Sequence, residues 1–172
     1  MGKKLNVILV LAVANAFMEI KGFPQASPPS ATEEFCGAPP DEAINATVTC
    51  IQKLNIKELD MEHFSTDSGR PIDPSFDDKC LSKCVFVDAG LMSDDGEPIL
   101  EAFKDDFKKY HTEKYHQYLA DITSSCFSLA ETQFKSTGGA KGNPCKYAST
   151  LAQCLAAEEF KICNPDGSKA KE

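Results

Sequence analysis

Eight cysteines constrain the fold of this chain more than any other feature of its sequence, and they lie at positions 36, 50, 80, 84, 126, 145, 154 and 163. An even number of cysteines in an oxidising compartment is typical of a disulfide framework. Cysteine-only zinc sites usually contain close CxxC pairs, and no two cysteines in this chain have that spacing. We therefore expect disulfides, and neither a metal site nor a cofactor.

The N-terminus predicts that the chain is secreted. Lys3 and Lys4 precede a nearly unbroken apolar run over 5–14, which is shorter than the roughly 20 residues needed to span a bilayer. The small residues Ala14 and Ala16 suit a signal peptidase, so we expect a signal peptide over 1–16, with cleavage as late as Gly22 as the alternative. A buried N-terminal helix would alternate apolar and polar residues, and this run does not.

Length and charge limit the partners of the mature chain. Its 172 residues, 42% of them hydrophobic, suit one domain with a sizeable core. The net charge is −8, and loss of two lysines with the signal peptide would make it −10. Because a strongly acidic surface repels phosphate backbones, we expect no nucleic-acid partner. No other segment is apolar and long enough for stable membrane insertion.

Hydrophobic periodicity predicts an all-α fold: a compact, disulfide-stapled domain of six helices, with five to seven as the range. We expect a flexible lead-in over 17–35, the helical domain over 36–163 and a polar tail over 164–172. The first helix should begin near Pro40, with an apolar stripe of Ile44, Val48 and Ile51. Further helices are expected over about 56–64 and 77–89, from near 97, across 115–129, and from 143 onward, with a glycine-rich loop over 136–142.

Cysteine spacing indicates how these helices are joined. Cys80 and Cys84 are four residues apart, which places both on one face of the predicted third helix, where they can bind two neighbouring segments. Cys145 and Cys154 are nine residues apart, so they lie on opposite faces of the last helix, which should be bridged on both sides. Two further cysteines on the first and fifth predicted helices are available as partners. Spacing alone leaves the pairing open, because eight cysteines can pair in many ways.

The order of six of these cysteines resembles that of insect odorant-binding proteins, the pheromone-binding and general-odorant-binding family. Between Cys50 and Cys154, three residues separate the second cysteine from the third, and eight separate the fifth from the sixth. The stretch 90–96, Gly-Leu-Met-Ser-Asp-Asp-Gly, resembles the turn after the family's third cysteine. The sequence Leu-Ala-Gln-Cys over 151–154 resembles the segment at its sixth. The resemblance covers 50–154, most of the mature chain.

The resemblance implies three disulfides and an apolar ligand cavity surrounded by the helices. The implied pairs are Cys50–Cys84, Cys80–Cys145 and Cys126–Cys154. The chain departs from the family in two ways. The interval between Cys126 and Cys145 is long, and the chain has two additional cysteines, Cys36 and Cys163. These two flank the signature, which predicts a fourth bridge between the lead-in and the end of the last helix. An intermolecular bond is the alternative.

The motifs argue against an enzyme. The sequence contains no GxSxG, HExxH or phosphate-binding loop. None of His63, His111 and His116 lies in a His-Asp or Cys-His arrangement typical of a nucleophile and its base. His111 and His116 are candidates for a pH response instead, because histidine titrates near pH ~6.5. The alternative is that both rings point to water.

Apolar stripes at helical spacing usually form a closed core, but the resemblance implies that some of these side chains line a ligand cavity. The predicted ligand-binding residues are Val48, Ile51, Val87, Leu91, Leu100, Phe103, Phe107, Tyr118, Ile122, Leu151 and Leu155.

These features predict a secreted, extracellular carrier that binds a small hydrophobic ligand such as an odorant or pheromone. Two alternatives stay open: a salivary or venom-type scavenger of small host mediators on the same scaffold, and a secreted structural or interaction protein with a closed core. A membrane receptor is a further candidate partner, and we expect a monomer or weak homodimer. Asn45, in the sequence Asn-Ala-Thr, is a candidate glycosylation site.

Overall fold

Helices provide nearly all the regular structure in residues 41–57 and 78–163, which are the residues that the computed structural model describes. They are α1 (Asp41–Lys53), α2 (Leu81–Asp88), α3 (Leu100–Tyr110), α4 (Glu113–Phe134), α5 (Gly139–Gly142) and α6 (Pro144–Cys163), with a 3-10 turn at Lys135–Thr137. The described ranges contain no strand, only one isolated antiparallel bridge between Met92 and Pro98. The predicted all-α class is confirmed.

Three disulfides join these helices, and each is a pair that the family resemblance implied. They are Cys50–Cys84, Cys80–Cys145 and Cys126–Cys154. Helix α6 is therefore tied to the start of α2 by its first turn and to α4 by its middle, while α1 is tied to α2. The prediction that the last helix is bridged on both sides is confirmed.

Helix α1 begins where it was predicted but buries a different face. The predicted stripe was wrong at Val48, which is 41% exposed, and its two other members are only half-buried. The buried positions of α1 are Thr47 and Cys50. Because Cys50 is bonded to Cys84, the face that carries Cys50 is the one that turns toward α2.

Helix α2 begins four residues later than predicted. Lys79 and Cys80 have φ values of 56° and 64°, in the left-handed region that interrupts a right-handed helix. The buried Asp78 carboxylate accepts a hydrogen bond from the backbone N–H of Ser82, at 2.8 Å, and so caps the first turn. Cys80 precedes the helix, yet its carbonyl accepts the N–H of Cys84 at 3.0 Å, which keeps the two cysteines one turn apart.

Helices α3, α4 and α6 occur where the periodicity predicted them. Only residues 111–112 separate α3 from α4, so the two helices form an antiparallel hairpin. The prediction of a loop over 136–142 was wrong in part, because this stretch contains the end of the 3-10 turn and all of α5. Gly138, with a φ of 93°, lets the chain turn between these two short elements.

The turn between α2 and α3 packs closely against the first residue of α6. Gly96 is buried with a φ of 92°, and a Cβ atom at this position would lie 2.4 Å from the Cβ of Pro144. The turn is closed by a backbone hydrogen bond from Ser93 to Glu97 at 2.9 Å. This contact fixes the N-terminus of α6 against the helices that surround it.

Several predictions concern residues outside the described ranges: the signal peptide over 1–16, the lead-in over 17–35, the polar tail over 164–172, and Cys36, the predicted partner of Cys163. Most of the predicted helix over 56–64 also lies outside them, although Ile56 and Lys57 are described and are not helical. Among the described helices, none combines the length and the apolar character needed to cross a membrane.

Candidate ligand-binding site

The centre of the domain is an aromatic group contributed by three helices. Phe103 of α3 lies between Phe86 of α2 and Phe127 of α4, with ring centroids 5.0 and 5.2 Å apart and interplanar angles of 77° and 82°. This edge-to-face geometry is the one that aromatic quadrupoles favour. Leu151 and Leu155 of α6 pack against the same group. We call these residues and their apolar neighbours the central cluster.

A second group of buried side chains lies beside the hairpin between α3 and α4. It consists of the buried residues Tyr115, Leu119 and Ile122, with Phe107 and Tyr118 packed against them. We call it the hairpin cluster. Phe107 packs against the central cluster as well, so its ring joins the two.

The structure gathers most of the predicted ligand-binding residues around these two clusters. The central cluster includes Val87, Leu91, Leu100, Phe103, Phe107, Leu151 and Leu155, and the hairpin cluster includes Tyr118 and Ile122. The two predicted residues of α1 lie apart. Ile51 packs in a separate apolar group formed by α1 and α2, and Val48 is exposed.

Burial divides the predicted residues into two kinds. Phe103 is 2% exposed and Leu151 is 0% exposed, so neighbouring protein atoms already cover their surfaces. A side chain that lines a space large enough for a ligand keeps accessible surface on that space when the ligand is absent. The half-buried predicted residues of the two clusters meet this condition, and they are Val87, Leu100, Phe107 and Tyr118.

Uncharged polar groups border the hairpin cluster at neutral pH. Burial, with a smaller effect of Glu158, raises the pKa of Tyr118 to about 12. Burial also lowers the pKa of His111, and the neighbouring His116 lowers it further. The His111 ring lies 6.1 Å from the Phe107 ring, centroid to centroid. The ring Nε2 of His116 lies 2.8 Å from the carbonyl oxygen of His111, which fixes the two histidines together at the hairpin.

Two features of α6 were missed in the sequence. Tyr147 is fully buried, and its hydroxyl donates a hydrogen bond to the Glu131 carboxylate of α4 at 3.0 Å. Glu159 is partly buried near the other end of the helix. Their positions, four residues before Leu151 and four after Leu155, place both on faces of α6 that carry core residues. That spacing is the signal by which they could have been found.

The model of the PBP/GOBP family matches residues 40–158 of this chain, well over half of its length. The chain therefore belongs to the PBP/GOBP family, the insect odorant-binding family. Its members are secreted proteins that bind small hydrophobic ligands. A search of curated proteins and a search of solved structures found no match to this chain.

Proposed function

We propose that this protein is a secreted carrier that holds one small apolar molecule, such as an odorant or a pheromone, and moves it through extracellular fluid without catalysing a reaction. The observation that carries the proposal is the position of Phe107, a half-buried ring that packs against both the central and the hairpin cluster. Membership of the PBP/GOBP family supports a binding function of this kind.

The disulfides make such a carrier physically reasonable. A space for a ligand inside a small domain costs stability, because the surrounding side chains lose contacts. Each cross-link offsets part of that cost, by about 2–4 kcal/mol, through its restriction of the unfolded chain. The three bridges span sequence separations of 34, 65 and 28 residues, so they restrict most of the described chain.

Replacement of Phe107 by Ala tests the proposal. The fluorescent apolar probe N-phenyl-1-naphthylamine should bind the wild-type protein saturably, with increased emission. Loss of the ring removes apolar contact area worth about 1–3 kcal/mol, so the variant should bind the probe more weakly by that amount. The measurement is the dissociation constant from a fluorescence titration at pH 7.5.

Leu81→Ala is the control. Leu81 is a buried side chain of α2 in the separate apolar group that α1 and α2 form, outside the central and hairpin clusters. This variant should lose stability and keep its affinity for the probe wherever it is folded. Equal affinities of wild type and Phe107→Ala would show that Phe107 is core. No saturable binding to the wild type would contradict the carrier function.

A further inference from the structure

One carboxyl group lies on the interior face of α6. Positions 148, 152, 155 and 159 fall within about 60° of one another around a helix with 100° per residue. Ala148, Ala152 and Leu155 are buried members of the central cluster. Glu159 continues their row by one turn, at a position where a core residue would be expected, and it is itself only partly accessible.

Glu159 differs from the glutamate beside it. Glu158 is also partly buried, but it forms an ion pair with Lys161, at 2.6 Å between Oε1 and Nζ. In the part of the chain that the structure describes, Glu159 forms neither an ion pair nor a hydrogen bond. Burial alone raises the pKa of Glu159 to about 7. Its carboxyl group is therefore partly shielded from water, without a protein cation to compensate for the loss.

Two other polar side chains of α6 that are buried have hydrogen-bond partners. The amide of Gln153 donates to the hydroxyl of Ser149 at 3.2 Å, and the hydroxyl of Tyr147 donates to Glu131 at 3.0 Å. A carboxylate that leaves water without a partner costs several kcal/mol, so buried carboxyl groups are normally paired. On this helix the buried hydroxyl of Thr150 also has no partner among the described residues, but it carries no charge. Of the two ionisable side chains discussed here that are shielded within α6, Tyr147 has a partner and Glu159 has none. A ligand that supplies the missing partner would remove the penalty.

We propose that Glu159 recognises a hydrogen-bond-donating head group, an alcohol or an amine, on an otherwise apolar ligand. The inference rests on the proposed carrier function and adds the chemical class of the ligand. The ionised carboxyl accepts an O–H or N–H donor, and it attracts a protonated amine most strongly because both charges leave water together. A fatty-acid carboxylate would place a second negative charge beside Glu159 and is disfavoured.

Three ligands of equal size separate the head group from the tail: decan-1-ol, decylamine and methyl nonyl ether. The ether is an isomer of the alcohol and has no donor. Their affinities are measured at pH 7.5 by displacement of N-phenyl-1-naphthylamine. Wild type should bind the alcohol and the amine at least about ten-fold more tightly than the ether, the range expected for a hydrogen bond to a charged group.

Substitutions at two glutamates assign this preference to one side chain. Glu159→Leu should lose the preference for the alcohol and the amine over the ether, while its affinity for the ether is kept. Glu159→Gln, which is nearly the same shape, should keep the preference for the alcohol and lose the additional affinity for the amine. Glu101→Gln, at an exposed carboxylate of α3 that pairs with Lys104, is the control and should behave as wild type. Circular dichroism and thermal unfolding confirm that each variant is folded.

The outcomes separate this inference from the proposed function. If wild type binds the alcohol, the amine and the ether equally, Glu159 is a buried core carboxyl, and the inference fails while the carrier function stands. The same conclusion holds if Glu159→Leu gains stability and keeps the wild-type ligand preference. If none of the three ligands displaces the probe and the probe itself does not bind, the carrier function fails and the inference fails with it.

Discussion

Glu159 and His111 are partly buried ionisable side chains. Burial raises the pKa of the first and lowers the pKa of the second, and in both cases it favours the uncharged form. Burial raises the pKa of Glu159 to about 7 from 4.5, so the folded protein binds its proton more tightly than the unfolded chain does. The tighter proton binding stabilises the folded state. This stabilisation is complete below pH 4.5 and is lost as the pH rises through 7. Burial lowers the pKa of His111 from 6.5, so its contribution is present above pH 6.5 and is lost in acid.

The Glu159→Gln variant should isolate the first of these effects. Gln cannot ionise, so the fall in the free energy of unfolding between pH 5.5 and pH 8 should become smaller by about 1–2 kcal/mol, a value that allows for the partial exposure of the side chain. Urea denaturation at the two pH values, with the disulfides intact, measures the difference. Identical pH dependence in wild type and variant would mean that Glu159 titrates normally in the folded state.

The two histidines at the hairpin should affect ligand binding in mild acid. Protonation of His111 places a positive charge near the half-buried ring of Phe107, which favours the state without an apolar ligand. Wild type should therefore bind N-phenyl-1-naphthylamine more weakly at pH 5.5 than at pH 7.5, and the double variant His111→Gln, His116→Gln should show a smaller difference. Equal pH dependence in both proteins would remove these histidines from ligand release, and a flat wild-type profile would remove acid release itself.

At the scale of secondary-structure elements, glycine allows the turn between α2 and α3 to pack against the start of α6. Gly90 and Gly96 both have positive φ, but only Gly96 lies against another element. Gly90→Ala should cost about 1 kcal/mol for its backbone conformation alone. Gly96→Ala has the same backbone cost and must also displace Pro144, so it should cost at least about 3 kcal/mol. Comparable unfolding midpoints for the two variants would show that the start of α6 moves away easily.

The late start of α2 shows that a sequence pattern can predict a helix without fixing the residue at which it begins. We predicted a helix over 77–89, and the helix begins at Leu81. Lys79 and Cys80 carry no local signal for a left-handed conformation, which ordinary residues adopt only at a cost. The tertiary structure holds Cys80 in this conformation through its bond to Cys145 on a distant helix and through the cap that Asp78 provides. Such long-range constraints cannot be derived from the local sequence.

At the scale of the whole molecule, the spacing of the cysteines and the helical period were sufficient to predict the all-α class. The resemblance of the cysteine order to that of the family was sufficient to predict the three bridges. They were not sufficient to separate core residues from candidate ligand contacts. Val48 and Leu151 were both selected from helical stripes, and yet one is 41% exposed and the other is fully buried. The difference arises because α1 lies at one side of the domain, while α6 is bridged on two sides. Helical period specifies a face, and only the packing of the helices specifies what covers it.

The last prediction concerns Cys36 and Cys163, which lie outside the three described bridges. The six other cysteines are all paired, so these two can pair only with each other or with another chain. An intramolecular bond would close a loop around all three bridges and should stabilise the fold by about 2–4 kcal/mol. Peptide mapping without reduction should recover one fragment that contains both cysteines, and a thiol reagent should label nothing in the denatured protein. A labelled Cys36 or Cys163, or a disulfide-linked dimer that is lost in the Cys36→Ser, Cys163→Ser variant, would contradict the fourth bridge.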